Sequence, residues 1–255
     1  TKFYTIPLGD VCTITQDLNG NLWCGTNDEG IVVYNPTTGL SSRFHGAQTG
    51  LGSEVVVSST TMKDGSLYFG TYNGGLTRFS HGVWKSYHAG TSGLASNSVW
   101  CLAEAPDHRL LIGTLGGGFQ IFDPNTEKFE TYTTSNSRLA SNFINSLFVQ
   151  NANQLLLGHS QNMSLFDFHD RQITDLSKLS NGKAFLSPSI NFSMIDSRGL
   201  LWIATPSGIA MYDLKSNQVE NINNLNGTPG AVGCSIIEDK QHSMLSRKHI
   251  CRCRR

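Results

Sequence analysis

The sequence predicts an all-β fold, a β-propeller of four-stranded antiparallel blades, and three observations predict it. Five near-copies of one motif recur: LWCGT at 22–26, LYFGT at 67–71, LLIGT at 110–114, LLLGH at 155–159 and LWIAT at 201–205. Their fourth residues, Gly25, Gly70, Gly113, Gly158 and Ala204, lie 45, 43, 45 and 46 residues apart. That period belongs to repeat architectures, whose units bury their apolar faces only by stacking. Each copy also divides into four segments of about five to seven residues, biased towards β-branched and aromatic types, and no window sustains a helical period. Finally, LNGN (18–21), KDGS (63–66) and SRGL (197–200) supply turn dipeptides that tolerate positive φ. Four antiparallel strands in about 44 residues make a propeller blade.

The first segment of each repeat is VCTITQD (11–17), VVVSSTT (55–61), SVWCLAE (98–104), FINSLFV (143–149) and INFSMID (190–196). The second is the marker motif. Its glycine is expected where a neighbouring backbone or blade comes close, with Trp23, Tyr68 and Trp202 filling space between blades. The third follows a small-residue turn: GIVVYN (30–35), GLTRFS (75–80), GFQIFD (118–123), MSLFD (163–167) and GIAMYD (208–213). The fourth is short, as in SSRFH (41–45), KFETY (128–132) and RQITDL (171–176).

The repeats run from about 10–53, 54–96, 97–141, 142–188 and 189–230. A partial sixth follows at 231–241, where AVGCSIIED (231–239) matches a first strand. KFYTIP (2–7) matches the last strand of a preceding unit. The two partial ends suit either a ring closed by a composite sixth blade or a fragment of a larger propeller, and the fragment is expected. A propeller domain over 1–241 is therefore expected, and 242–255 forms a tail. The tail holds five of the 19 Lys and Arg and none of the 19 Asp and Glu, so a neutral total conceals an acidic body and a basic end. The repeat breaks off in mid-blade there. That favours a segment foreign to the propeller over a nucleic-acid arm, and no nucleic-acid partner is expected.

Cys12, Cys24, Cys101 and Cys234 fall in predicted strands and read as small buried apolar residues, and Cys251 and Cys253 lack a second pair at ligand spacing. DLNGN (17–21) lacks the later ligands and closing Glu of a calcium loop. LGGG (115–118) leads into a strand rather than a helix, so it is a turn rather than a phosphate cradle. The chain contains no HExxH, GxSxG or P-loop motif. No catalytic residue, metal or cofactor is expected, and an enzyme is disfavoured because the innermost strands offer mostly Ser, Thr, Asn and Val.

Blade geometry puts the turn between the second and third strands on one face with the links between blades. Those links, HGAQTGLGSE (45–54), HAGTSGLASN (88–97), TSNSRLASN (134–142) and SKLSNGKAFLSP (177–188), read as the longer and more varied loops, where recognition concentrates. Asn97 and Asn142 share a position just before the innermost strand, suited either to bonding local backbone or to ringing the central channel. Trp100 is larger than its counterparts and reads as an inter-blade filler or an aromatic platform. Tyr72, Asn73, Asp28, Glu29, His88 and Arg138 complete a polar rim. Aromatic and amide groups together suit a sugar, with apolar ring faces and hydroxyl edges.

The shared consensus, N-x-V-x-x-I-x-x-D-x-x-G-x-L-W-I-G-T-x-x-G-L-x-x-Y-D, resembles the two-component regulator propeller repeat over residues 10 to about 239. LASNSVWCLAE (94–104) and SRGLLWIATPSGIAMYD (197–213) carry the resemblance best. Asn153, His159 and Asn162 depart from it in the fourth repeat, as does Ala204 in the fifth. The resemblance implies the extracytoplasmic sensor region of a Bacteroidetes hybrid two-component regulator, followed in that family by a membrane helix, a histidine kinase and a DNA-binding regulator. It further implies a periplasmic location and detection of a carbohydrate breakdown product. The implied partners are an oligosaccharide or other small molecule, the remaining blades and signalling domains, and a second copy in a homodimer. A protein-interaction scaffold without a small-molecule ligand is the alternative, and a propeller lyase or glycosidase ranks behind it.

Overall fold

A computed structural model describes residues 10–160, 162–176, 190–206, 208–213, 216, 218–222, 236–238 and 244–246. They form five four-stranded antiparallel sheets and one two-stranded sheet, each sheet ordered as its strands occur in the chain. Blade one comprises β1 (Val11–Gln16), β2 (Leu22–Thr26), β3 (Ile31–Tyr34) and β4 (Ser41–Phe44). A single turn of helix, α1 (Gly46–Thr49), leads to blade two: β5 (Val56–Thr61), β6 (Leu67–Thr71), β7 (Leu76–Ser80) and β8 (Val83–Tyr87). Blade three is β9 (Val99–Glu104), β10 (Leu110–Thr114), β11 (Phe119–Asp123) and β12 (Lys128–Tyr132). Blade four is β13 (Ile144–Val149), β14 (Gln154–His159), β15 (Met163–Asp167) and β16 (Ile173–Asp175). Blade five is β17 (Phe192–Ile195), β18 (Leu200–Thr205), β19 (Gly208–Asp213) and β20 (Gln218–Ile222), and β21 (Ile236–Glu238) pairs with β22 (Met244–Ser246). Thus Met244–Ser246, expected in the tail, add a strand beside β21. The rest of 242–255, with Cys234, Cys251 and Cys253, lies outside the described residues.

The chain divides into two compact units, residues 1–131 and 132–255. In the first, β1 packs on β5 and β5 on β9; in the second, β13 packs on β17 and β17 on β21. Each apolar core therefore lies between consecutive sheets. Trp23, Ile31, Val56, Leu67 and Phe69 join blades one and two. Tyr68, Leu76, Val99, Leu110 and Phe122 join blades two and three, and Leu156, Ile190, Leu201 and Tyr212 join blades four and five. Trp23, Tyr68 and Trp202 fill inter-blade space as the sequence suggests.

The marker glycines sit where successive innermost strands converge. A Cβ at Gly25 would stand 2.9 Å from the Val56 carbonyl, and one at Gly70 2.6 Å from the Val99 carbonyl and 2.3 Å from Ser58 Oγ. Ser58 Oγ itself donates to the Val99 carbonyl at 3.1 Å, bridging two blades. Replacing Gly70 by alanine is expected to cost about 1–3 kcal/mol, because the Val99 backbone must yield as well as the Ser58 and Val99 side chains. Urea denaturation followed by circular dichroism checks it, and an unchanged midpoint would refute the close-approach account. Ala204 is tolerated in blade five because its methyl joins an apolar cluster with Met194, Trp202 and Ile236.

The residue after the marker has its own task. The hydroxyls of Thr26, Thr71, Thr114 and Thr205 donate to the carbonyls of Gly30, Gly75, Gly118 and Gly208 at 2.9–3.0 Å, closing the turn between the second and third strands. At the opposite end, Asp17 and Asp196 accept the indole N–H of the tryptophan six residues on, Trp23 and Trp202, each at 2.9 Å. Their second oxygens accept backbone N–H groups of the intervening turn. Burial would raise the Asp196 pKa, but the hydrogen bonds from Trp202, Leu200 and Arg198 outweigh it and hold the carboxyl below its ordinary range.

Candidate ligand-binding face

Three features build the face that carries the links. The first is a β-bulge near the start of the innermost strand. Val11 and Thr13 pair with Thr26 and Gly25, Val56 and Ser58 with Thr71 and Gly70, Val99 and Cys101 with Thr114 and Gly113, and Ile144 and Ser146 with His159 and Gly158. Cys12, Val57, Trp100 and Asn145 are the extra residues, and a bulge turns such a side chain out of the regular alternation. Trp100 is accordingly 38% exposed rather than an inter-blade filler. Cys12 is only half-buried for the same reason, and Cys101 is part-exposed on a strand covered only partly along its length, so of the described cysteines only Cys24 is buried.

The second feature is the construction of the links. They differ in sequence yet share one scaffold. The carbonyls of His45, His88 and Thr133 each accept the N–H groups three and four residues later, forming a helical turn. Thr49, Ser92 and Ser137 add hydroxyl donors to those same carbonyls. Leu51, Leu94 and Leu139 are buried anchors. Three residues after each leucine, Glu54, Asn97 and Asn142 accept the N–H of Gly46, Ala89 and Thr134, in every case eight residues back, at 2.7–2.9 Å. The described links are therefore less varied than their sequences suggest, and the amide oxygens of Asn97 and Asn142 are committed to loop backbone. Glu54, the third member of this set, is hidden in the sequence because its residue type differs while its position does not.

The third feature is contact between each link and the adjacent turn. Gly30 N–H donates to the Glu54 carbonyl and Gly75 N–H to the Asn97 carbonyl, at 3.1 and 2.8 Å. Asn73, at φ 63°, accepts the Ser98 hydroxyl at 2.8 Å. A Cβ on Gly75 would lie 3.0 Å from His88 Nδ1, which puts that imidazole beside the same turn. Tyr72 is 46% exposed at its start, its N–H held by the Val55 carbonyl. The structure thus gathers Asn73, His88 and Asn97 around one turn of blades two and three, with exposed Tyr72 and Trp100 carried on the same elements.

The other expected residues lie elsewhere. Asp28 is exposed at the blade-one turn, and Glu29 beside it is paired with Arg43 at 2.9 Å. Arg138 and Asn142 belong to the second unit, Arg138 along a cleft with Arg171. Among the described residues no helix is long and apolar enough to cross a membrane, and no group of three or more His, Cys, Asp or Glu could hold a metal ion.

Residues 93–116 match the family model described as two component regulator propeller, a stretch that contains Asn97, Trp100 and the third marker motif. No curated protein sequence matches the chain. Among solved structures, the chain is similar to the extracellular domain of a protein from B. thetaiotaomicron described as a hybrid two component system, at 18% identity and a TM-score of 0.73, covering 96% of this chain and 38% of the other. A second such extracellular domain from B. thetaiotaomicron matches at 19% identity and a TM-score of 0.60, covering 95% and 38%. A catalytically inactive virginiamycin B lyase from Staphylococcus aureus, crystallised with quinupristin, matches at 15% identity and a TM-score of 0.65, covering 91% and 82%. These likenesses show the propeller fold, and the chain spans about two fifths of the length of the two extracellular domains.

Proposed function

We propose that a chain of this fold, carrying a two-component regulator propeller repeat at 93–116, is an extracytoplasmic ligand-sensing module of a two-component signalling protein. On this reading it lies in the periplasm. It recognises a carbohydrate breakdown product on the face of blades two and three and relays binding, through the remaining blades and signalling domains of a longer parent, to a membrane-linked histidine kinase. The observation that carries the reading is the pair of exposed aromatic rings, Tyr72 at the start of the blade-two turn and Trp100 on the β9 bulge, beside loop backbone held by the side chains of Asn97 and Ser98. Rigid loops lose little entropy on binding, and an exposed aromatic ring offers its face to the apolar side of a pyranose.

A thermal-shift screen against neutral oligosaccharides tests this. Binding to the folded state should raise Tm in proportion to the logarithm of ligand concentration above Kd. Trp100→Ala should abolish the rise for the active sugar while leaving the ligand-free Tm nearly unchanged. Absence of a shift with every sugar, or a shift insensitive to both Trp100→Ala and Tyr72→Ala, would overturn the reading.

A further inference from the structure

The turn between the third and fourth strands of a blade is built alike in blades one, three and four. The N–H groups of Gly39, Glu127 and Arg171 donate to the carbonyls of Asn35, Asp123 and Asp167 at 2.8–3.0 Å, and all three residues have φ between 56° and 73°. What the side chain at this position meets differs. In blade three, Glu127 reaches the outer strand of blade two and holds Lys85 Nζ, with Tyr87 Oη donating to the same carboxylate. In blade four the position is a cation, and a second cation lines the same cleft. Arg171 and Arg138 line one cleft of about 420 Å³ with Tyr132, Ser135, Gln172 and Ile173.

No carboxylate of the described residues lines that cleft, and neither guanidinium is ion-paired within them. Arg171 Nη1 is buried and has no hydrogen-bond partner. Its guanidinium carbon lies 5.9 Å from the centroid of Phe166, and the same ring meets Tyr132 edge-on at 5.1 Å, so both walls are braced by one aromatic. A buried guanidinium donor left unsatisfied is costly, and a cleft lined by two cations together with an aromatic, a hydroxyl and an amide favours an anion with polar substituents.

We propose that this cleft binds the carboxylate-bearing unit of an acidic saccharide, with Arg138 and Arg171 on the carboxylate and Tyr132 and Ile173 against the ring. The anion site follows from the cleft itself; that a saccharide carries the anion rests on the sensor reading above.

Titration calorimetry of the chain with glucuronate, glucose and inorganic sulfate tests the proposal. Glucuronate should bind saturably, and glucose and sulfate at least tenfold more weakly. Arg138→Gln, at an exposed position, and Arg171→Gln should each weaken glucuronate at least tenfold, as expected for loss of a charge-assisted bond. Glucuronate binding that survives Arg138→Gln would overturn the assignment, and so would absence of glucuronate binding. Sulfate binding as tightly as glucuronate would also overturn it, in favour of an inorganic oxyanion. The Trp100→Ala effect on neutral sugars is read separately, so failure at the cleft and failure of the sensor reading are distinguishable.

Discussion

Trp23→Ala is expected to destabilise the first unit by about 3–5 kcal/mol, the range for deleting a buried large aromatic. Trp23 is 5% exposed and is the hub of a cluster spanning two blades. Its ring stacks on Phe44 at 5.8 Å and 8°, and lies 5.8, 5.1 and 6.1 Å from Phe69, Phe79 and Trp84. Truncation removes the surface that couples blade one to blade two and leaves a cavity that four rings cannot easily close. It also strips Asp17 Oδ2 of the indole donor, while Asn21 Nδ2 still donates to it. Trp23→Phe keeps most of the packing and loses that hydrogen bond, so about 1–2 kcal/mol is expected. Trp100→Ala provides the contrast. With its ring partly in solvent, it should fall within about 0.5 kcal/mol of the parent. Urea midpoints read by far-ultraviolet circular dichroism avoid the confounding change in tryptophan fluorescence. Equal losses for Trp23→Ala and Trp100→Ala would contradict the assignment of one ring to the core and the other to the surface.

A second large effect should appear on acidification. His159 stands where four other repeats have threonine, and its imidazole is buried. Nε2 shares a hydrogen bond with Ser164 Oγ at 2.8 Å, while Nδ1 is buried without a partner. Desolvation pushes its pKa down from 6.5 to about 4, partly offset by the negative charge of Asp175. The folded value lies below the unfolded one, so the unfolded chain takes up the proton first. The contribution of neutral His159 is intact above about pH 6.5 and is lost as pH falls towards 4. That shift corresponds to about 3 kcal/mol at the acid end. The window lies above that of the lowered carboxyls of Asp17 and Asp196, whose stabilising contributions are lost only as pH falls through the carboxylate range. His159→Thr should flatten the dependence between pH 6.5 and 4, and the new hydroxyl can reach the turn carbonyl as its four counterparts do. Denaturant midpoints at pH 7, 5.5 and 4.5 decide it; parallel pH profiles for parent and variant would refute the mechanism.

How much of this was legible depended on whether a residue acts within its own repeat. The marker glycines, the threonine that closes the turn and the Asp-to-Trp spacing recur at fixed offsets, because each repeat solves the same local problem. The leucine of the links and the side-chain oxygen three residues later were equally periodic. They were partly hidden, because Glu54 and Asn97 do the same work with different residue types. Periodicity alone could not show that Trp100 is the extra residue of a bulge, since one unpaired position reverses which face a side chain takes.

The cleft beside Arg171 lay further out of reach. Arg138 and Arg171 are 33 positions apart in segments with no motif in common, and only the packing of the turn against residues 132–138 brings them together. The sequence alone determined the blade and its count of complete copies, because hydrogen-bonded turns and alternating strands are local and repeat with the chain. Tertiary structure decided which aromatic is core, which is surface, and which two cations line one cleft without an acid in its lining. Those outcomes depend on which blades touch, and the neighbour of a side chain across a blade interface is set by three-dimensional packing rather than by its place in the repeat.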